Sequence, residues 1–276
     1  MTTDFIKTAV IGHPIAHSKS PLLHNHWISH YGLHGEYKAI DIAPDNLKAG
    51  IQALIDDGYT GFNVTVPHKV AIMDLCDELS DIAQKIGAVN TVTIQNGKLY
   101  GTNTDAYGFI QNIKENIQKE WHFNNGRALV LGAGGAANAI IYALIEEGVP
   151  EIILTNRTRE KADTLKSLSP EKITVVDWEE CNAACKNTNL IVNSTALGMC
   201  GKPPLDIDLS LATRTTLVTD IVYAPLYTDL LQQAQNHEMQ IITGIGMLLH
   251  QARPGFEMWN GVMPEVNKTI ENLILS

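Results

Sequence analysis

Residues 128–137 read Ala-Leu-Val-Leu-Gly-Ala-Gly-Gly-Ala-Ala, and their reading decides the fold. The apolar run Ala128–Leu131 has the length of a buried strand, and it leads straight into Gly132, Gly134 and Ala137. An apolar pattern of helical period follows over Asn138–Glu147 and is closed by Gly148. Strand, glycine turn and helix in that order make the phosphate-binding corner of a dinucleotide-binding βαβ unit. Gly132 permits the tight turn, Gly134 lets the backbone approach a pyrophosphate, and Ala137 is small enough for helix to pack closely on strand. Ala133, Gly135 and Ala136 complete the turn, and the bare amides at the helix start favour phosphate charge. A second strand is expected over Glu151–Thr155.

The end of that second strand bears on which cofactor binds. A site for NAD usually has an acidic residue there to hold the ribose hydroxyls. This chain reads Thr155-Asn156-Arg157-Thr158-Arg159-Glu160-Lys161, with no carboxylate at the strand end and three cations close together. Such cations suit a 2′-phosphate, and Arg can also stack on adenine. NADP is therefore expected over NAD, against the plainer reading of a solvated basic helix start capped by Asn156 or Thr158.

Working outward, the residues before the glycine turn are numerous enough for a domain of their own. Strands are expected over Lys7–Ile11, Glu36–Ile40 and Gly61–Val66, and helices over Pro21–Tyr31, Leu47–Asp57 and Val70–Leu79. Ala88–Ile94 and Lys98–Tyr100 read as strands joined at Asn96-Gly97, a strong two-residue hairpin signal. A long helix, Tyr107–Glu120, leads into the cofactor unit. Beyond it, Ile173–Val176, Leu190–Asn193, Leu217–Asp220 and Gln240–Ile242 are candidate strands. This alternation predicts an α/β protein with parallel sheets covered on both faces. The C-terminal segment Met247–Ser276 is helical in pattern, is expected to break at Pro254 and Pro264, and is expected to return to the first domain. The expected organisation is a substrate domain of residues 1–106 plus 246–276 and a Rossmann-type dinucleotide-binding domain of residues 107–245, with a ligand-binding cleft between them.

Composition excludes several classes. A net charge of −10 argues against a nucleic-acid surface, and no apolar run approaches the roughly 20 residues of a membrane span. The segment Met1–Lys7 lacks the pattern of a secretory leader, and Cys76, Cys181, Cys185 and Cys200 show no C-x-x-C pair, so free thiols in a reducing cytoplasm are expected. His24, His26 and His30 invite a metal reading, but Trp27-Ile28-Ser29 lacks the Glu of a zinc protease helix, and no metal site is expected.

Several polar residues fall at strand ends, where α/β folds build their sites. Ser18 and Ser20 precede a helix whose first position suits Pro21; Ser20 is either a helix cap or, with Ser18, a receptor for a small carboxylate. Lys69 follows Pro67 at the end of a strand, Asn90 lies in Gly87-Ala88-Val89-Asn90-Thr91, and Asp105 closes Gly101-Thr102-Asn103-Thr104-Asp105. Taken singly, Lys69 reads as a solvated helix-start residue and Asp105 as a cap.

These stretches together resemble the shikimate dehydrogenase family, over essentially the full length. The match runs through Gly12–Asn25 (GHPIAHSKSPLLHN), Asn63–Lys69 (NVTVPHK), Gly87–Thr91 (GAVNT), Gly101–Asp105 (GTNTD) and Gly132–Ala137 (GAGGAA). It continues through Asn156–Thr158 (NRT), Asp220–Pro225 (DIVYAP), Gly244 and Gln251-Ala252. The resemblance implies NADPH-dependent reduction of 3-dehydroshikimate to shikimate in aromatic amino-acid biosynthesis. It implies that Ser18 and Ser20 hold the substrate carboxylate and that Thr65, Asn90, Asp105, Tyr223 and Gln251 contact its hydroxyls or ring. Lys69 would be the general acid/base, with Asp105 as its partner. Gly132, Ala133, Gly134, Gly135, Ala136, Asn156, Arg157, Thr158, Lys161, Ile221 and Gly244 would line the cofactor, with Asp81 a marginal contact. The family often has arginine where this chain has Lys161, which keeps the charge but loses the planar fork and leaves most 2′-phosphate recognition to Arg157. The alternatives are a quinate/shikimate dehydrogenase using NAD or NADP, and a non-catalytic NADP-binding regulator. A cytoplasmic monomer or homodimer is expected.

Overall fold

Asn96 and Gly97 both take the left-handed conformation, with φ of 53° and 74°, and the strands on either side pair antiparallel with Gln95 opposite Lys98. A two-residue turn can join only antiparallel strands, so this dipeptide gives the first sheet its mixed character. The computed structural model describes residues 5–118 and 120–276. Met1–Asp4, where no secretory leader was expected, and Lys119, inside the helix expected over Tyr107–Glu120, lie outside the described residues. The chain divides into two α/β units, Met1–Asp105 with Leu249–Ser276, and Ala106–Leu248.

In the first unit the elements run β1 (Ile6–Gly12), α1 (Ser20–His30), β2 (Gly35–Asp41), α2 (Leu47–Asp56), β3 (Gly61–Val64), β4 (Glu78–Leu79), α3 (Asp81–Ile86), β5 (Thr91–Gln95) and β6 (Lys98–Thr102). The sheet order is β2-β1-β3-β5-β6-β4. Strands β1, β2 and β3 are mutually parallel, while β5 runs antiparallel to β3 and β6, so the expectation of parallel sheets fails here. A core of Ala9, Ile11, Ile51, Phe62, Ile72 and Val92 lies against one face.

The helix expected over Val70–Leu79 is replaced by a 3-10 turn over Ala71–Leu75 and the short strand β4. Asp77 is the cause. Its N–H donates to the Leu99 carbonyl, and its carboxylate accepts from the Leu99 N–H at 2.8 Å, which draws the chain onto β6. Ser80 then caps α3 through the Ala83 N–H, and Gly87 ends it in the left-handed conformation.

The second unit contains α4 (Asp105–Asn116, whose first residue belongs to the first unit), β7 (Arg127–Leu131), α5 (Ala137–Glu146), β8 (Ile152–Thr155), α6 (Arg159–Leu165) and β9 (Ile173–Val176). It continues with α7 (Cys181–Ala184), β10 (Thr188–Asn193), β11 (Leu217–Asp220), α8 (Asp229–Asn236) and β12 (Gln240–Ile242). All its strands are parallel, in the order β12-β11-β10-β7-β8-β9. Counted from β7, that is the doubly wound order of dinucleotide-binding domains, with its switch point between β7 and β10. Ala128, Leu129, Val130 and Leu131 are all fully buried, as a central strand covered on both faces requires. Each of the larger three contributes about 1.5–3 kcal/mol of burial.

The chain returns to the first unit within α9 (Ile245–Asn260) and ends in α10 (Lys268–Leu275). Pro254 does not break α9. An internal proline costs a helix about 3 kcal/mol, but Ala252 and Phe256 on either side are fully buried and Trp259 donates to the Val92 carbonyl. That packing outweighs the lost hydrogen bond. Pro264 does fall between helices, as expected.

Candidate active site

The loop after β1 and the loop after β3 leave the sheet side by side. His13 N–H donates to the Val66 carbonyl, and a side chain at Gly12 would meet the Thr65 methyl at 2.6 Å. The Asp41 carboxylate anchors the first loop, 2.6 Å from His13 Nδ1 and 3.2 Å from the Ile15 N–H, and the hydrogen bond from His13 holds that carboxyl below its ordinary range. This anchoring places Ser18 and Ser20, both half-buried, at the start of α1. Ser20 is the first helical residue rather than the cap; Lys19 takes the cap position and makes no side-chain cap bond. The Ser18 hydroxyl instead accepts the Ser20 N–H at 3.3 Å.

Below α1, His24 is fully buried and stacks on Tyr37 at 3.9 Å. Burial pushes its imidazole down to about 3, so it is a neutral packed ring.

In the second loop, Pro67 and the buried His68 bring the chain back toward the sheet. His68 donates from Nε2 to the Ile42 carbonyl at 2.6 Å, since a carbonyl only accepts. Val89 N–H binds the Lys69 carbonyl at 2.8 Å. Held this way, Lys69 Nζ lies 2.6 Å from Asp105 Oδ2, with 21% and 8% of the two side chains exposed. The partner oxygen, Asp105 Oδ1, accepts from Asn90 Nδ2 at 2.8 Å. Asn90 Nδ2 also lies 3.4 Å from Gln251 Oε1. Lys69, Asn90, Asp105 and Gln251 thus meet in one cluster within the first unit, and Thr65 stands on the adjoining loop. A cation held against a carboxylate, edged by amides and hydroxyls, can bind a polyhydroxylated ring and give a proton to an oxygen that gains charge.

Asp81 is an exposed residue in the first turn of α3, where a carboxylate suits the helix N-terminus.

In the second unit Gly132 ends β7 with φ of +107°, and an added Cβ would come within 2.7 Å of the Thr195 methyl and 2.9 Å of Ser194 Oγ. Gly134 and Gly135 are exposed, and an added Cβ on either would meet nothing within 4 Å. This is a cradle open to a phosphate. Asn156 ties it to the end of β8, accepting from the Ala133 N–H at 3.1 Å and donating to the Thr158 carbonyl at 2.7 Å. A cavity of about 320 Å³ is lined by Gly132, Ala133, Gly134, Asn156, Arg157 and Thr195, among others. Of the three cations in the sequence, Arg159 is engaged by Asp177 and Asp163, while Arg157 and Lys161 are exposed. Thr158 takes the cap position of α6 without a side-chain cap bond, and Ala136 precedes α5.

Gly244 packs on the Ile221–Val222 backbone, where an added Cβ would meet the Ile221 carbonyl oxygen at 2.5 Å. Asp220, fully buried, anchors that segment by accepting from the Val222 N–H, Asn193 and Thr228. Burial raises the Asp220 carboxyl and the Tyr223 phenol above their ordinary values. These residues fit an NADP molecule, with a bare glycine turn for the pyrophosphate and Arg157 for a 2′-phosphate.

Comparison with known proteins agrees with this chemistry. Residues 10–92 match the family model of the shikimate dehydrogenase substrate binding domain, and residues 113–199 match that of shikimate / quinate 5-dehydrogenase. The chain is 48% identical to a shikimate dehydrogenase (NADP(+)) of Paramagnetospirillum magneticum, over 97% of each chain. The chain belongs to the shikimate dehydrogenase family.

Among solved members of the fold, a shikimate 5-dehydrogenase from Thermus thermophilus, in complex with NADP(H) and shikimate, superposes with a TM-score of 0.86 at 34% identity, covering 98% of each chain. A quinate dehydrogenase from Corynebacterium glutamicum, in complex with NAD, gives 0.91 at 30% identity over 99% of each. In this member of the shikimate dehydrogenase family the sequence reading missed Trp178, Ser194, Thr195 and Lys202, which also line the cavity at the glycine turn. Ser194 and Thr195 follow β10 at the switch point, so strand order is the signal that finds them. Trp178 and Lys202 carry no local signal.

Proposed function

We propose that this chain is an NADP-dependent shikimate dehydrogenase, an oxidoreductase that reversibly reduces 3-dehydroshikimate to shikimate in aromatic amino-acid biosynthesis. The observation that carries the reading is the Lys69–Asp105 pair at 2.6 Å, edged by Asn90, in a chain 48% identical to an enzyme of that name. The first unit is assigned to the substrate and the second to the cofactor. Ser18 and Ser20 receive the substrate carboxylate at the start of α1. Thr65, Asn90, Asp105, Tyr223 and Gln251 bind its hydroxyls and ring.

NADPH, when bound, supplies the hydride. The chain's own part is position and proton. Lys69, as an ammonium, stabilises the carbonyl oxygen as it gains charge and then protonates it. Asp105 holds the ammonium in place and keeps a carboxylate beside it. The glycine turn, Asn156, Thr158, Ile221 and Gly244 hold the cofactor, with Arg157 and Lys161 toward the 2′-phosphate and Asp81 at most a marginal contact. A purely NADP-binding regulator would have no use for a proton donor at the substrate end. We assign the chain to the cytoplasm, which the biosynthetic role and the free thiols of the four cysteines support, and to a monomer or homodimer. No helix among the described residues is long and apolar enough to cross a membrane.

A second reading, quinate oxidation with NAD, is favoured by the likeness to the Corynebacterium enzyme. It is disfavoured by the acid-free end of β8. Wild type and Arg157→Ala, assayed with NADP+ or NAD+ on shikimate and on quinate, separate the two. Wild type is expected to prefer NADP+ and shikimate. Arg157→Ala is expected to raise KM for NADP+ by about tenfold or more and that for NAD+ far less, because the charged 2′-phosphate loses its partner while NAD+ loses at most a stacking contact on adenine. Equal changes with both cofactors, or faster turnover of quinate with NAD+, would contradict the proposal.

A further inference from the structure

We propose that Thr91 is a positioning residue for this reaction, holding the Asn90 side chain with its amino group on Asp105; the inference rests on the reading of Asn90 and Asp105 given above. Donors and acceptors in a buried network fix which way each amide faces. Asn63 presents one end of its amide 3.2 Å from the Asn90 backbone carbonyl, which can only accept, so that end is the amino group. Its oxygen takes the Tyr37 hydroxyl proton at 2.7 Å. The Asn63 amino group also donates to Thr91 Oγ1 at 3.0 Å. The Thr91 proton then has two acceptors within reach, Asn90 Oδ1 at 2.9 Å and Thr104 Oγ1 at 3.3 Å, and the nearer is the Asn90 oxygen.

A second route gives the same orientation. The Thr104 N–H, which can only donate, lies 2.8 Å from the same Asn90 oxygen, with Thr104 Oγ1 at 3.1 Å. With its oxygen fixed there, Asn90 must turn its amino group to Asp105 Oδ1, leaving Oδ2 for Lys69. The donors therefore run one way, from Tyr37 through Asn63, Thr91 and Asn90, to a carboxylate that ends the chain. Tyr37, Asn63, Asn90, Thr91 and Thr104 are all buried, so water is poorly placed to replace a missing partner. Without the Thr91 hydroxyl, the Asn63 amino group faces a methyl and Asn90 loses one of the donors that keep its oxygen off Asp105. An amide turned over would set oxygen against carboxylate and shift the Lys69 partner.

Packing and hydrogen bonding can be separated at this residue. The Thr91 methyl lies 3.2 Å from where a Cβ on Gly255 would sit, so it has a packing part of its own. Thr91→Val keeps the shape and loses the hydroxyl; Thr91→Ser does the reverse. The test is steady-state oxidation of shikimate with NADP+ by both variants, and by Thr91→Val in an Asn90→Ala background. Thr91→Val is expected to lower kcat/KM for shikimate about tenfold, with KM for NADP+ within about twofold, and Thr91→Ser to stay within about twofold of wild type. In Asn90→Ala, Thr91→Val is expected to cost nothing further. Val as active as Ser, or a cost in Val that persists without the Asn90 amide, overturns the proposal. Should Thr91→Val not fold, Thr91→Ser decides alone: retained activity supports the proposal and a tenfold loss overturns it. Wild type inactive on shikimate would instead overturn the underlying functional reading, whatever the Thr91 variants do.

Discussion

Lys69→Ala is expected to lower kcat for shikimate oxidation by more than about a hundredfold, while KM for shikimate moves only a few-fold. The reason lies in where the side chain sits. Its ammonium is 2.6 Å from Asp105 and mostly buried, and the proposed function sets it against the oxygen that changes charge. An interaction that strengthens as charge develops appears in kcat, whereas the carboxylate and remaining hydroxyl contacts, assigned to other residues, sustain binding. Alanine also leaves Asp105, 8% exposed, with the Asn90 amide as its nearest remaining donor, so the fold of the variant must be checked by circular dichroism. A folded Lys69→Ala enzyme with near-normal kcat would remove Lys69 from the chemistry.

Gly132→Ala is expected to weaken NADPH binding by more than about tenfold and to lower stability by about 1–3 kcal/mol. At φ of +107° an L side chain is strained, and the new methyl would meet the Thr195 methyl at 2.7 Å and Ser194 Oγ at 2.9 Å. Ser194 cannot give way freely, because its hydroxyl donates to the Leu131 carbonyl and lies 3.2 Å from that of Gly132. Relief must come from moving the turn itself, which is the part proposed to receive the pyrophosphate. Fluorescence titration with NADPH and a thermal melt measure the two effects. An unchanged dissociation constant would mean that the cofactor does not rest on this turn.

What the sequence made legible was mostly local. The glycine turn, the buried strand before it and the Asn96-Gly97 hairpin each depend on a few adjacent residues, and each forms as read. The errors arise where distant partners overrule local pattern. β4 exists because Asp77 exchanges hydrogen bonds with Leu99, far along the chain, and α9 runs through Pro254 because buried residues flank it. The candidate site shows the same division. Lys69 and Asp105 stand 36 residues apart, and residue pattern alone left each as a helix-start residue; only the likeness to a known family paired them. Ser194 and Thr195 reach the cavity at the glycine turn through the order of strands, which no local window contains. The part of Thr91 was likewise hidden, since it depends on which way the Asn63 and Asn90 amides face.

The most direct test of the account is to mix the purified chain with NADPH and follow its near-ultraviolet absorbance as 3-dehydroshikimate is added. The expected result is loss of that absorbance in one-to-one proportion to ketone consumed, with shikimate as product and no loss when the ketone is left out. NADPH that binds but is not consumed, with ketone present in excess, would contradict it.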